Sequence, residues 1–168
     1  MENLGEKPAR LLLRATLFAG TLDLLSAMAY VLIDGRNPLA VPVGIASAVW
    51  PGALKAGAPA LVVGVLLHFA IMLAMVAAYV MVARRLPRLA ARPAISGTLY
   101  GMALWAVMNL IVLPLRWPAL FPHVTVVSFA EQIFSHVVLV GLPLAWMTRN
   151  SLLGTGRVGS FGELPQAG

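Results

Sequence analysis

The chain has 168 residues, of which 60% are hydrophobic and only 11% charged; cysteine is absent and mean hydropathy is +0.89. A small soluble domain leaves roughly 40% of its chain's surface in water, and a quarter of an average soluble chain is charged. The composition therefore excludes a soluble enzyme, a disordered chain and a disulfide scaffold, and the length allows one lipid-embedded domain of a few spanning helices. The formal charge of +6 is carried by short flanking blocks, without the aromatic-interleaved basic stretch of a nucleic-acid interface. Without cysteine there are no disulfides, thiolate metal sites or cysteine nucleophiles.

About 20 apolar residues cross a bilayer as a helix. Four segments meet that length, at about 11–33, 60–83, 97–115 and 127–147. They predict an all-α, polytopic four-helix transmembrane bundle within residues 1–148, followed by a flexible tail over 149–168 rich in glycine from Gly154 onward. The first loop, 34–59, is the longest. Its apolar middle, Pro42 to Trp50, is too short to span and reads either as an interfacial or re-entrant helix or as a loop on the headgroups.

Charge sets the expected direction. Lys7, Arg10, Arg14, Arg84, Arg85, Arg88, Arg92, Arg149 and Arg157 fall on one side, against Arg36, Lys55 and Arg116 on the other. The positive-inside rule then puts both termini in the cytoplasm. Tyr30, Trp50 and Trp117 would form the outer aromatic belt, and Tyr79, Tyr100 and Trp146 the inner one. A signal peptide cut after Ala27-Met28-Ala29 is the rival for the first segment, but Asp23 interrupts its apolar region. The arginines Arg84, Arg85, Arg88 and Arg92 are topology determinants that can also contact anionic lipid headgroups. The two halves share no inverted repeat of the transporter kind.

Each predicted span carries one polar residue that is costly in lipid: Asp23, His68, Asn109 and His136. At ~1.5 Å per residue they lie ~15, ~12, ~9 and ~14 Å from the outer ends, in one slab. Thr16, Gly20, Asp23, Ala27 and Tyr30 share a face of the first helix; Gly57, Gly64, His68, Met75 and Tyr79 share one of the second. Gly97, Gly101, Trp105 and Asn109 form a ridge on the third. Gln132 aligns with His136 on the fourth, where Pro143 frees the Leu139 carbonyl and bends the helix.

This layer admits three readings. It is polar glue between helices, as in a structural or assembly membrane subunit without ligand. It is a proton or ion relay, or the floor of a pocket for a small ligand, with Glu131 and His123 at its mouth. Or His68 and His136 ligate a metal or, in a membrane electron carrier, the iron of a haem b; no other cofactor is expected. Phosphate-loop, nucleophile-elbow and dinucleotide motifs are absent, and Ser47, Ser96, Ser128 and Ser135 stand as isolated hydroxyls. The small-residue ridges also suit a homo-oligomer, which a transporter of four helices would need.

Several stretches carry a resemblance. They are Leu22-Asp23, Gly64-x-x-Leu67-His68-Phe69, Tyr79 with Arg84-Arg85-Leu86-Pro87, and Gly97-x-x-Tyr100-Gly101. Met108-Asn109-x-x-Val112-x-Pro114-Leu115 and His136-x-x-x-Val140-Gly141-Leu142-Pro143-x-Ala145 complete the set. Over residues 15–148 the chain resembles a group of small uncharacterised four-helix integral membrane proteins of bacteria. The resemblance implies a four-helix inner-membrane protein and no activity, and it places Asp23, His68, Asn109 and His136 within recurrent patterns.

Overall fold

A computed structural model describes residues 8–121 and 125–153. Lys7, His123, Arg157 and the tail from Gly154 onward lie outside the described residues. Those described form helices and turns, with no strand among them. Four helices are long and apolar enough to cross a membrane: Pro8–Ile33, Ala58–Arg85, Pro93–Arg116 and Val126–Leu153. They are the four spans of the bundle. Large apolar side chains such as Leu13, Leu32, Leu66, Leu99, Leu115 and Val127 point outward on them, as a lipid-facing surface requires.

The first span is α1 (Pro8–Ile33); a short α2 (Ala40–Ala46) and a single 3-10 turn (Ala53–Lys55) fill the first loop. The second span is α3 (Ala58–Arg85), followed by a short α4 (Pro87–Ala91). The third is α5 (Pro93–Val107), a π-helical segment Met108–Val112, and α6 (Leu113–Arg116). The fourth is α7 (Val126–Ile133), a π-helical segment Phe134–Gly141, and α8 (Leu142–Leu153).

Proline sets several of these starts. Pro59, Pro87 and Pro93 stand in the first helical positions, where the missing N–H costs nothing. The third span therefore begins at Pro93, four residues before the predicted start. The fourth runs through Arg149 and Asn150 to Leu153, six residues past its expected end at 147. A charged residue ends the apolar run but not the helix, and arginine near a helix C-terminus favours its dipole. The π segments lie just upstream of Pro114 and Pro143. A proline removes one ladder donor and crowds the carbonyl four residues back, and a widened turn absorbs both.

Gly57 sits before α3 at φ 62° and is exposed, so it does not share the buried face of the second span as expected. Gly64 does, but its neighbour is α2: a methyl group there would overlap the Pro42 carbonyl. At ~1.5 Å per residue, Gly64 lies ~9 Å along α3, so α2 packs beside the span well below its start.

α1 packs between α3 and the fourth span, and the third span packs on the fourth. Gly97, Gly101 and Gly141 make that last contact. A Cβ on Gly101 would meet the His136 carbonyl and the Val137 Cα, and one on Gly141 the Gly97 carbonyl. α3 and α5 do not pack along their lengths. Near the base of the bundle they are bridged by Tyr79 and Tyr100, whose rings lie 4.9 Å apart, and by the Tyr100 hydroxyl donating to the Met75 carbonyl at 2.6 Å. Leu11, Ala15, Val76, Leu144 and Ala145 complete the core there. Toward α2 the two spans part.

Candidate functional site

The gap between the second and third spans is a cavity of about 190 Å³. Asp23, His68, Asn109 and His136, one from each span, all line it, together with Gln132. Glu131 does not; its backbone carbonyl lies 3.4 Å from the Tyr30 hydroxyl. Met72, Met75, Leu104, Met108 and Val140 supply apolar wall, and Ile45, Ala48, Arg116 and Trp117 line the α2 end. A cavity this size has room for several waters or one small molecule.

The two imidazoles are held alike. His68 is buried, and its Nε2 lies 2.9 Å from the Gly20 carbonyl. His136 Nδ1 lies 2.8 Å from the carbonyl of Gln132, one turn back. A carbonyl only accepts, so each ring donates through that nitrogen and keeps the other, His68 Nδ1 or His136 Nε2, as an acceptor. Neither of these nitrogens has a partner among the described residues. Gly20 admits this geometry: a Cβ there would stand 2.9 Å from the Phe69 ring beside His68.

Asp23 accepts at its backbone carbonyl from Ser26 (2.8 Å), but its carboxylate has no hydrogen bond or ion pair with any described residue. Asn109, buried in the π segment, spends one N–H on the Trp105 carbonyl at 3.1 Å and keeps its Oδ1. The Gln132 side chain is likewise uncommitted. Among the described residues no three His, Cys, Asp or Glu side chains converge closely enough to hold a metal ion.

The serines are not isolated. Ser26 and Ser135 hydroxyls lie 2.8 Å apart, and the Tyr30 hydroxyl lies 3.1 Å from Ser135. Each hydroxyl has one proton, and the set closes if Tyr30 donates to Ser135, Ser135 to Ser26 and Ser26 to the Asp23 carbonyl. This chain ties the first span to the fourth. Ser96 accepts from Tyr79 at 2.9 Å and donates to the Leu89 carbonyl at 2.8 Å, clamping the arginine loop to the bundle. Ser128 pairs with Thr125 in a reciprocal cap that starts α7. Tyr79 is 3% exposed, so it belongs to the interior and not to an aromatic belt.

Arg116 is the residue sequence reasoning passed over. Its Nε donates to the Ala48 carbonyl at 2.8 Å and its Nη2 to the Ser47 carbonyl at 2.6 Å, at the C-terminal end of α2. Its guanidinium also lies 5.3 Å from the Trp117 ring centroid. The one available signal was its place as the lone basic residue after the third span. Arg84, Arg85, Arg88 and Arg92 are all exposed around α4, together at one end of the bundle. Comparison with family models, curated proteins and solved structures finds no match to this chain.

Proposed function

We propose that this is an integral protein of a bacterial cytoplasmic membrane, with both termini inside, whose cavity between the second and third spans binds or relays a proton, an ion or a small ligand. One observation carries the reading: an unpartnered carboxylate and two imidazoles with a spare acceptor nitrogen line the same cavity. Polar glue between helices normally ends in mutual hydrogen bonds, because an unpaired polar group in lipid costs several kcal/mol. Here each imidazole is fixed by a backbone carbonyl from behind. Such anchoring orients a ring toward an occupant.

The cavity volume bears on the haem alternative. About 190 Å³ is below the ~300 Å³ at which pockets for drug-sized ligands begin, and a porphyrin is larger still. It favours water, an ion or a compact molecule. The direction of insertion rests on the arginine asymmetry, and the exposed cluster around α4 suits contact with anionic headgroups. A transport role would call on oligomers of this chain; no nucleic acid partner is proposed.

The test is proton movement in proteoliposomes carrying an internal pH-sensitive dye. The reading expects flux from the wild type and its loss in Asp23→Asn and His136→Gln with the fold retained. Variants that fold and behave as wild type would leave the layer as packing alone. A Soret band in the purified protein would replace this reading with haem ligation.

A further inference from the structure

We infer that the arginine loop around α4 is a defined binding site for one anionic phospholipid, and that Ser96 is its positioning residue; this rests on the membrane reading and not on the cavity. Arg84, Arg85, Arg88 and Arg92 are exposed, and no guanidinium among them has a hydrogen bond or ion pair with a described residue. The acidic residues among those described are Asp23, Asp34 and Glu131. None stands at this end of the bundle: Asp34 follows the far end of α1, Glu131 is beside Tyr30 near that same end, and Asp23 lines the cavity. Leu11, Ala83, Leu89 and Leu152 meet in one core cluster, which brings the exposed Arg10 and Arg149 to the same end as the loop. The local charge is therefore strongly positive and without a described counter-ion.

Charge alone would attract anionic lipid diffusely, and three observations point to a site. The positive-inside rule counts lysine and arginine alike, whereas all four residues are arginine, whose planar fork takes two phosphate oxygens at once. The chain also holds them close. Arg85 and Arg88 are three residues apart, so their Cα atoms are separated by ~11 Å at most. Arg88 and Arg92 stand about one helical turn apart, ~6 Å. Finally, the loop is fixed before any ligand arrives. Pro87 and Pro93 start the helices on either side of it, Ala90 is buried, and Leu89 packs on the core. Ser96 Oγ lies 2.8 Å from the Leu89 carbonyl and 3.0 Å from that of Arg92, and the Tyr79 hydroxyl lies 2.9 Å from Ser96. A loop ordered in advance loses less freedom on binding.

The neighbouring surface selects a lipid over a soluble phosphate. Met81 and Val82 lie one turn before Arg85 and Leu86 on α3, and Met81, Val82 and Leu86 are all exposed. Cations above an apolar track match a phosphate headgroup above its acyl chain.

The test is native mass spectrometry of the full chain in a neutral detergent, titrated with phosphatidylglycerol or with phosphatidylcholine of the same acyl chains. Glu2, Glu6 and Glu163 are then present and free to compete for the arginines. The expected result is one phosphatidylglycerol retained per chain, reaching a plateau, with at least fivefold less phosphatidylcholine. Two variants that conserve charge separate a site from diffuse attraction. Ser96→Ala keeps every arginine but releases the loop, and Arg88→Lys keeps the charge but loses the fork. Each should lower phosphatidylglycerol retention at least threefold. Equal retention of the two lipids, a rise without a plateau, or unchanged retention in either folded variant overturns the inference. Displacement of the lipid by an equal concentration of glycerol phosphate would make the occupant a soluble phosphate and overturns it too. Should Ser96→Ala fail to fold, Arg88→Lys at its exposed position decides alone. Failure here leaves the cavity reading standing, because proton flux and its dependence on Asp23 are measured separately.

Discussion

The guanidinium of Arg116 lies 2.6 Å from the Ser47 carbonyl, joining the end of the third span to the end of α2 across 69 residues of sequence. Its Nε takes the neighbouring Ala48 carbonyl, so one side chain satisfies two acceptors that the end of a short helix leaves open. The contact also places Arg116, Ala48 and Ile45 together over the cavity. Seven residues of helix have no stability of their own. α2 therefore depends on this latch and on its seat against Gly64.

Arg116→Gln keeps some reach but loses the charge and the paired donors. The contact is largely exposed, so its loss is worth about 1 kcal/mol, or roughly fivefold in a local opening equilibrium. Amide hydrogen exchange should accelerate by that order over residues 43–50 and stay unchanged in α3 and α8. Uniform acceleration along all four spans would mean that the latch supports the whole bundle.

Glycine contacts give a sharper contrast. Gly101→Ala drives a methyl group into the His136 carbonyl and the Val137 Cα, both backbone, which cannot swing aside. Overpacking of this kind costs ~1–3 kcal/mol, and here it also pushes the His136 segment away from the cavity. Gly44, by comparison, has open space around its Cβ position. Gly44→Ala should be neutral or stabilise α2 by up to ~1 kcal/mol. Unfolding midpoints in detergent compare the two directly.

The spans were legible because long apolar runs between charges and prolines have one physical solution in lipid. Asp23, His68, Asn109 and His136 were legible for the opposite reason, since a costly side chain stands out against such a run. What links them was not. The approach of Pro42 to Gly64 and of Arg116 to Ser47 depends on how the first loop folds back, and no local spacing encodes it. Pro143 announced a disturbance in the fourth span, but whether a helix answers by bending or by widening depends on its neighbours. Here Gly101 and Gly97 let the third span press close to the widened turns.

Ser96 and Tyr79 form an unequal pair. Tyr79→Phe leaves Ser96 still donating to the Leu89 carbonyl, so only one bond is lost, about 0.6 kcal/mol by the average for interhelical pairs in membranes. Ser96→Ala strands the buried Tyr79 hydroxyl and frees the arginine loop at once, and an orphaned buried hydroxyl costs ~1–3 kcal/mol. The serine variant should be the less stable by at least 1 kcal/mol. Equal losses would show that the tyrosine finds a new partner.

Thr148 is fully buried, in the core with Leu144, and its hydroxyl has no partner among the described residues. A hydroxyl that is desolvated and unpaired is a cost, so Thr148→Val should hold or raise the unfolding midpoint. Most substitutions at so buried a position destabilise, which makes the sign of the change informative. A fall of more than ~1 kcal/mol would mean that the hydroxyl donates to a group it does not meet here.

Water in the cavity can be read chemically, because the chain has no cysteine of its own. A thiol reacts with a polar maleimide only where it can ionise in contact with water. Met108→Cys and Asn109→Cys would put a thiol on the cavity wall; Leu110→Cys, one position on, would face outward, since Leu110 is 54% exposed on a bundle surface expected to meet lipid. In intact membranes the first two should label and Leu110→Cys should stay unmodified. Adding Arg116→Gln should raise the labelling rate at 108 and 109 if the α2 latch restricts access, and leave position 110 unaffected. Labelling at 110 equal to that at 109 would mean that the third span is bathed on both faces, which no lipid-embedded bundle allows.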